Sequence, residues 1–105
     1  MIITIEELIK EYREWVDKNI PIDTHWIEEI NYLSHIRQEI HDTVKRSGNV
    51  PDHILEDIKQ IDTAWQVYIL KNGTKSFTYS DKPSKYCTSK DWWWNIDTYY
   101  QGRRC

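Results

Sequence analysis

Residues 26–68 read WIEEINYLSHIRQEIHDTVKRSGNVPDHILEDIKQIDTAWQVY, and the apolar positions of this stretch decide the fold. Apolar side chains recur at intervals of three, four or seven residues on both sides of Gly48, which is the spacing of one face of an α-helix. Before Gly48 they are Trp26, Ile30, Leu33, Ile40 and Val44, and after it they are Ile54, Ile58, Ile61, Trp65 and Tyr68. Ser47, Gly48 and Asn49 are typical of a helix end, and Pro51 is typical of a first helical turn. The sequence therefore predicts two helices joined by a short turn, an antiparallel helical hairpin.

A further helix is predicted before the hairpin. Thr4 and Glu7 have the spacing of a capping box, in which each side chain binds a backbone N–H of the other. The helix should end near residues 19–21, because the residue before Pro21 is disfavoured in the α conformation. Asp23 or Thr24 is then the predicted cap of the next helix.

The carboxyl end of the hairpin has two interpretations. In residues 65–79 the pair Asn72-Gly73 is typical of a β-hairpin turn, and it is equally typical of a helix end. The helical spacing continues through Tyr68 and Ile69, which favours a helix. An α+β fold with a β-hairpin in residues 65–79 is the alternative.

A short fourth helix, rich in aromatic residues, is predicted between a cap at Ser89 and a stop at Gly102. The predicted fold is thus a small all-α helical bundle with a central antiparallel hairpin. A length of 105 residues suffices for one core, so residues 1–105 are predicted to form a single domain.

The composition is that of an ordinary globular protein, with 39% hydrophobic and 30% charged residues. No apolar run approaches the roughly 20 residues that a membrane span needs, so no membrane association is expected. The amino-terminal residues also lack the pattern of a secretory signal, which predicts a cytoplasmic protein.

Charge is divided unevenly along the chain. Residues 1–65 contain 14 acidic and 7 basic side chains, whereas residues 66–105 contain 3 acidic and 7 basic ones, together with 9 of the 14 aromatic residues. A basic, aromatic region on an acidic helical body favours a binding protein. The leading hypothesis is a non-enzymatic protein-binding module, a small adaptor or inhibitor, that binds another protein or a second copy of itself.

Trp94 is the predicted anchor of that interface. In a regular fourth helix it would project away from the apolar stripe that contains Trp93, which leaves it either exposed for a partner or packed under the preceding loop. The other predicted partner-binding residues are Tyr86, Lys90, Gln101, Arg103 and Arg104. Binding of single-stranded nucleic acid by stacking on these aromatics is an alternative, which the net charge of −3 disfavours.

Arg37 lies in the middle of the apolar stripe of its helix, where an unpaired charge would be costly. Folding the hairpin about Gly48 brings it within one turn of Asp62, the one acid in the facing stripe. The sequence therefore predicts a structural Arg37–Asp62 ion pair that fixes the helix register. A small enzyme or ligand carrier with a site near Arg37, His41 and Asp62 is a further alternative.

Signals for catalysis or metal binding are weak. His25, His35 and His53 each precede an acid by four residues, but the helical periodicity does not bring them to one point, so no metal site is predicted. Nucleophile elbows and glycine-rich phosphate loops are missing from the sequence. An enzyme is therefore disfavoured, and no cofactor is expected.

Overall fold

The computed structural model describes residues 4–21, 26–72, 91–94 and 96. Among these residues, three α-helices, α1 (Ile5–Asp17), α2 (Ile27–Ser47) and α3 (Asp52–Asn72), precede a 3₁₀ turn at Trp92–Trp94, here called the tryptophan turn. No strand occurs among the described residues, so the predicted all-α class is confirmed. The α+β alternative is not supported, because α3 continues through residues 65–72 as a helix; residues 73–79 lie outside the described part.

The ends of the helices follow local sequence signals. The Thr4 hydroxyl accepts a hydrogen bond from the Glu7 N–H at 3.2 Å, so α1 begins at the predicted cap. Gly48 ends α2 in the left-handed conformation, with φ at 65°, where glycine lacks the steric cost of a side chain. The Pro51 carbonyl then accepts the N–H groups of Ile54 and Leu55 at the start of α3. The predicted caps of α2, Asp23 and Thr24, lie outside the described residues.

The three helices share one core. Arg13 lies near Asp57, and Tyr68 donates a hydrogen bond to the Asn19 carbonyl, so α1 runs parallel to α3. The buried apolar side chains come from α1, α2, α3, the α1–α2 connection and the aromatic segment after residue 91. They include Leu8, Tyr12 and Val16; Ile30, Leu33 and Ile40; Ile58, Ile61 and Ile69; and Trp93, Trp94 and Ile96.

Helix α1 packs along both partners, whereas α2 and α3 make little direct backbone contact with each other over their described lengths. The tryptophan turn packs on α2, and the Trp92 ring meets the Trp65 ring of α3 edge to face at 5.1 Å. Side chains therefore hold α2 and α3 together, and part of the space between them stays open. That space contains the candidate site. No described helix is both long and apolar enough to cross a membrane.

Candidate functional site

The predicted ion pair between Arg37 and Asp62 is present. Arg37 Nε donates to Asp62 Oδ1 at 2.8 Å, and Arg37 Nη2 donates to Asp62 Oδ2 at 3.1 Å. The two side chains are only 11% and 16% exposed, so this bidentate pair is largely shielded from water. Because Arg37 and Asp62 lie at equal distances from the connection at residues 48–51, the pair also fixes the antiparallel register of α2 and α3.

A third side chain, from α1, binds to this ion pair. Tyr12 of α1 donates its hydroxyl to Asp62 Oδ1 at 2.5 Å. Asp62 therefore receives hydrogen bonds from α1 and from α2, and one carboxylate links all three helices. Burial, followed by the charge of Asp62, raises the pKa of the Tyr12 hydroxyl well above its ordinary value near 10.

The tryptophan turn covers one side of this cluster. The Trp93 ring lies over the Arg37 guanidinium, 4.3 Å from its Cζ, in a cation–π arrangement. Gln38 Oε1 accepts the indole N–H groups of both Trp93 (3.1 Å) and Trp94 (2.7 Å). The same amide donates to Asp42 Oδ1 at 3.0 Å, which orients its oxygen toward the indoles.

The prediction that Trp94 is an exposed anchor is wrong, because its side chain is 0% exposed. Its ring lies edge to face with His35 at 5.0 Å, within the packing of the turn on α2. The helical wheel failed because it assumes that one face of the segment is buried, whereas the docking of this 3₁₀ turn on α2 buries both Trp93 and Trp94. The other predicted partner-binding residues, Tyr86, Lys90, Gln101, Arg103 and Arg104, lie outside the described residues.

Beside the Trp93 contact, an open groove runs between α2 and α3 toward their connection, with a volume of about 260 Å³. We call it the α2–α3 groove. Its apolar lining consists of Ile40, Val44, Leu55 and Ile58. Its polar lining consists of Arg37, His41, Lys59 and Asp62. The structure thus brings together the three residues of the predicted alternative site, Arg37, His41 and Asp62.

Lys59, Val44 and Leu55 were missed as site residues. Moving one and two helical turns from Arg37 and Asp62 toward the connection leads to residues 41 and 44 on α2 and to residues 59 and 55 on α3, so the sequence could indicate these positions. The opening between the helices could not be predicted from the sequence, because it depends on how far apart α1 and the tryptophan turn hold α2 and α3.

His41 is not arranged as a general base within the described residues. Its ring packs against Trp93 at 5.4 Å, and no hydrogen bond joins it to Glu56 or Asp57 there. Asp57 instead lies 4.0 Å from Arg13 of α1. Both oxygens of Asp62 already accept hydrogen bonds from Arg37 and Tyr12.

A second groove, of about 310 Å³, lies between α1 and α3. Its polar lining carries both signs of charge, with four acidic and two basic residues: Glu6, Glu14, Asp17 and Asp57, and Lys10 and Arg13. Neighbouring acidic and basic side chains of this kind are typical of a solvated helix surface. Among the described residues, no group of three or more His, Cys, Asp or Glu side chains could hold a metal ion.

Tyr12→Phe tests the buried cluster through alkaline pH. The raised Tyr12 pKa means that the unfolded chain loses the phenolic proton first, so this group's contribution to stability is complete below pH 10 and is lost as pH rises above it. We expect the unfolding free energy of the wild type to fall above pH 10 more steeply than that of Tyr12→Phe, by up to about 1.4 kcal/mol per pH unit. Urea unfolding between pH 8 and pH 11 measures this difference. Parallel curves for the two proteins would contradict it.

Comparison with known proteins gives no relative: the chain matches no family model, and neither a curated protein nor a solved structure is significantly similar to it. Any functional assignment therefore depends on the geometry described above.

Proposed function

We propose that this chain is a non-enzymatic protein-binding module that accepts a helical segment of its partner in the α2–α3 groove. The observation that carries the proposal is the groove itself, an open channel with an apolar floor between two antiparallel helices. Amphipathic helices commonly bind in such grooves through apolar side chains spaced three or four residues apart.

The dimensions of the groove suit a helix. Its lining extends from residue 37 to 44 on α2 and from 55 to 62 on α3, about 10 Å on each helix at 1.5 Å per residue. Two apolar side chains one turn apart on a partner helix are separated by about 5–6 Å, so both fit along this length. The tryptophan turn already packs aromatic side chains on the same two helices, with Trp93 against Arg37 of α2 and Trp92 against Trp65 of α3.

An enclosed ligand site is less well supported. Small-molecule sites usually bury most of the ligand surface. The α2–α3 groove is partly open, and Leu55, one of its lining residues, is 42% exposed. An exposed leucine beside an apolar floor is better suited to contact the side of another protein segment.

Nucleic-acid binding receives less support from the described residues. The three helices carry more acidic than basic side chains, whereas nucleic-acid affinity depends chiefly on phosphate contacts with Lys and Arg. The basic residues Lys90, Arg103 and Arg104 remain a predicted part of the interface. The buried Trp94 is excluded from it as an anchor.

Leu55→Asp tests the groove, with Val67→Asp as a matched control on the same helix. Leu55 lines the groove and Val67 does not, and both side chains are 42% exposed. The probes are peptides selected against the wild-type protein from a displayed library of amphipathic helices of about 18 residues, long enough to be helical when bound. We expect Leu55→Asp to weaken peptide binding by about 30-fold or more, and Val67→Asp to change it by less than about twofold.

Thermal melting of both variants establishes that each is folded before binding is measured. Equal losses for the two variants, or no peptide that distinguishes the wild type from Leu55→Asp, would exclude the groove as the partner site.

A further inference from the structure

We infer that the helix received by the α2–α3 groove is acidic, and that it places a carboxylate between Arg37 and Lys59 and an apolar side chain between Val44 and Leu55. This inference rests on the proposed function and specifies the chemistry of the partner.

The charge of the groove supports the inference. Asp62, its one acidic lining residue, is neutralised by the bidentate contact with Arg37 and also accepts the Tyr12 hydroxyl. Lys59 is exposed, lies one turn from Asp62 on α3, and forms no ion pair within the described part of the chain. The groove therefore presents net positive charge on a chain whose net charge is −3. A partner carboxylate complements that charge, whereas a partner lysine or arginine would be repelled.

Arg37 has donors left for such a carboxylate. A guanidinium carries five N–H donors, and the bonds to Asp62 use one from Nε and one from Nη2. Within the described part of the chain, Nη1 makes no hydrogen bond. Because Trp93 and Asp62 hold the guanidinium in place, it can donate to a ligand with little further loss of side-chain freedom.

The polar and apolar groups are also ordered along the groove. Arg37 and Asp62 lie at the end next to Trp93, and Val44 and Leu55 lie at the end next to the connection between the helices. A partner helix must therefore carry its acid and its apolar anchor on one face, about one or two turns apart. The expected pattern is an Asp or Glu that lies three, four or seven positions from a Leu, Ile, Phe or Met.

The peptide selection described above tests this chemistry directly. The library contains equal proportions of acidic, neutral and basic residues at every position outside the apolar stripe, and Leu55→Asp protein in excess removes peptides that bind elsewhere. We expect the selected sequences to be enriched in Asp or Glu at the stated spacing from an apolar residue. Selected peptides that lose binding to Leu55→Asp but carry neutral or basic residues would overturn the acidic partner and leave the proposed function intact.

A charge reversal at Lys59 provides the second arm, with Lys71→Glu as the control. Lys71 is an exposed lysine at the far end of α3, outside the groove. We expect Lys59→Glu to weaken the binding of the acidic peptides by about tenfold or more, and Lys71→Glu to change this binding by less than about twofold. Replacing the peptide's acid with Lys should restore binding to Lys59→Glu protein, which a merely structural role for Lys59 would not produce.

Three other outcomes would overturn the acidic helical partner. Equal effects of Lys59→Glu and Lys71→Glu would overturn the carboxylate contact. Tight binding of dodecanoate that Leu55→Asp abolishes, without any selected peptide, would assign the groove to a small amphiphilic acid and would overturn the helical partner. Dimerisation of the wild type that Leu55→Asp abolishes would assign it to a second copy of the chain.

Discussion

Arg37→Met is expected to lower the free energy of unfolding by about 3 kcal/mol or more, because it leaves Asp62 charged and largely buried without its main partner. The Arg37–Asp62 pair is shielded from water and makes two hydrogen bonds, and Trp93 packs on the guanidinium. Arg13→Met is the matched control. Arg13 and Asp57 form a pair that is about half exposed and 4.0 Å apart, so its loss should cost less than about 1 kcal/mol.

A double-mutant cycle with Asp62→Leu measures the coupling. We expect the double variant to recover much of the loss seen in Arg37→Met, because it removes both charges together. The recovery of unfolding free energy should be incomplete, because the buried Tyr12 hydroxyl then loses its acceptor. Adding Tyr12→Phe to the double variant should increase that recovery. Urea unfolding of all variants at pH 7 gives the free energies. Strictly additive losses at residues 37 and 62 would remove the pair as a source of stability.

Trp94→Ala is expected to destabilise the fold by about 3–5 kcal/mol, the usual cost of truncating a fully buried tryptophan. The side chain is 0% exposed and donates its indole N–H to Gln38, so the variant loses packing and a hydrogen bond together. Trp26→Ala serves as the control. Trp26 is 40% exposed at the start of α2, and its truncation should cost less than about 1 kcal/mol.

Urea unfolding followed by circular dichroism distinguishes these two tryptophans. A stable, folded Trp94→Ala protein would instead restore the sequence-based hypothesis that Trp94 serves a partner and not the core. Trp93→Ala provides an internal reference, because Trp93 docks on the same Gln38 oxygen and is also buried.

Much of the fold could be predicted because its signals are local. The Thr4 cap, the stop at Gly48 and the apolar spacing of α2 and α3 each depend on residues within a few positions of one another. The Arg37–Asp62 pair could be predicted for a related reason. A short connection fixes the register of a helical hairpin, so counting residues from Gly48 was enough to find the partner.

The tryptophan turn could not be predicted, because nothing local selects it. Its 3₁₀ geometry accompanies contacts with Gln38 and Ser34, residues more than 50 positions away in the sequence. A helical wheel assumes one buried face, and that assumption left Trp94 exposed, whereas both Trp93 and Trp94 are buried. The groove escaped prediction for a similar reason, since an opening between helices depends on their separation and not on the pattern within either one.

The contacts of the tryptophan turn also have a consequence for the order of folding. Gln38 meets Trp94 across 56 residues and Ser34 meets the Trp93 carbonyl across 59, whereas Arg37 meets Asp62 across 25. Closing a longer loop costs more chain entropy before any contact compensates for it, so short-range pairings tend to form first. The helical hairpin should therefore assemble early on the folding pathway. The contacts that Trp93 and Trp94 make with α2 should then form on a hairpin that has already assembled.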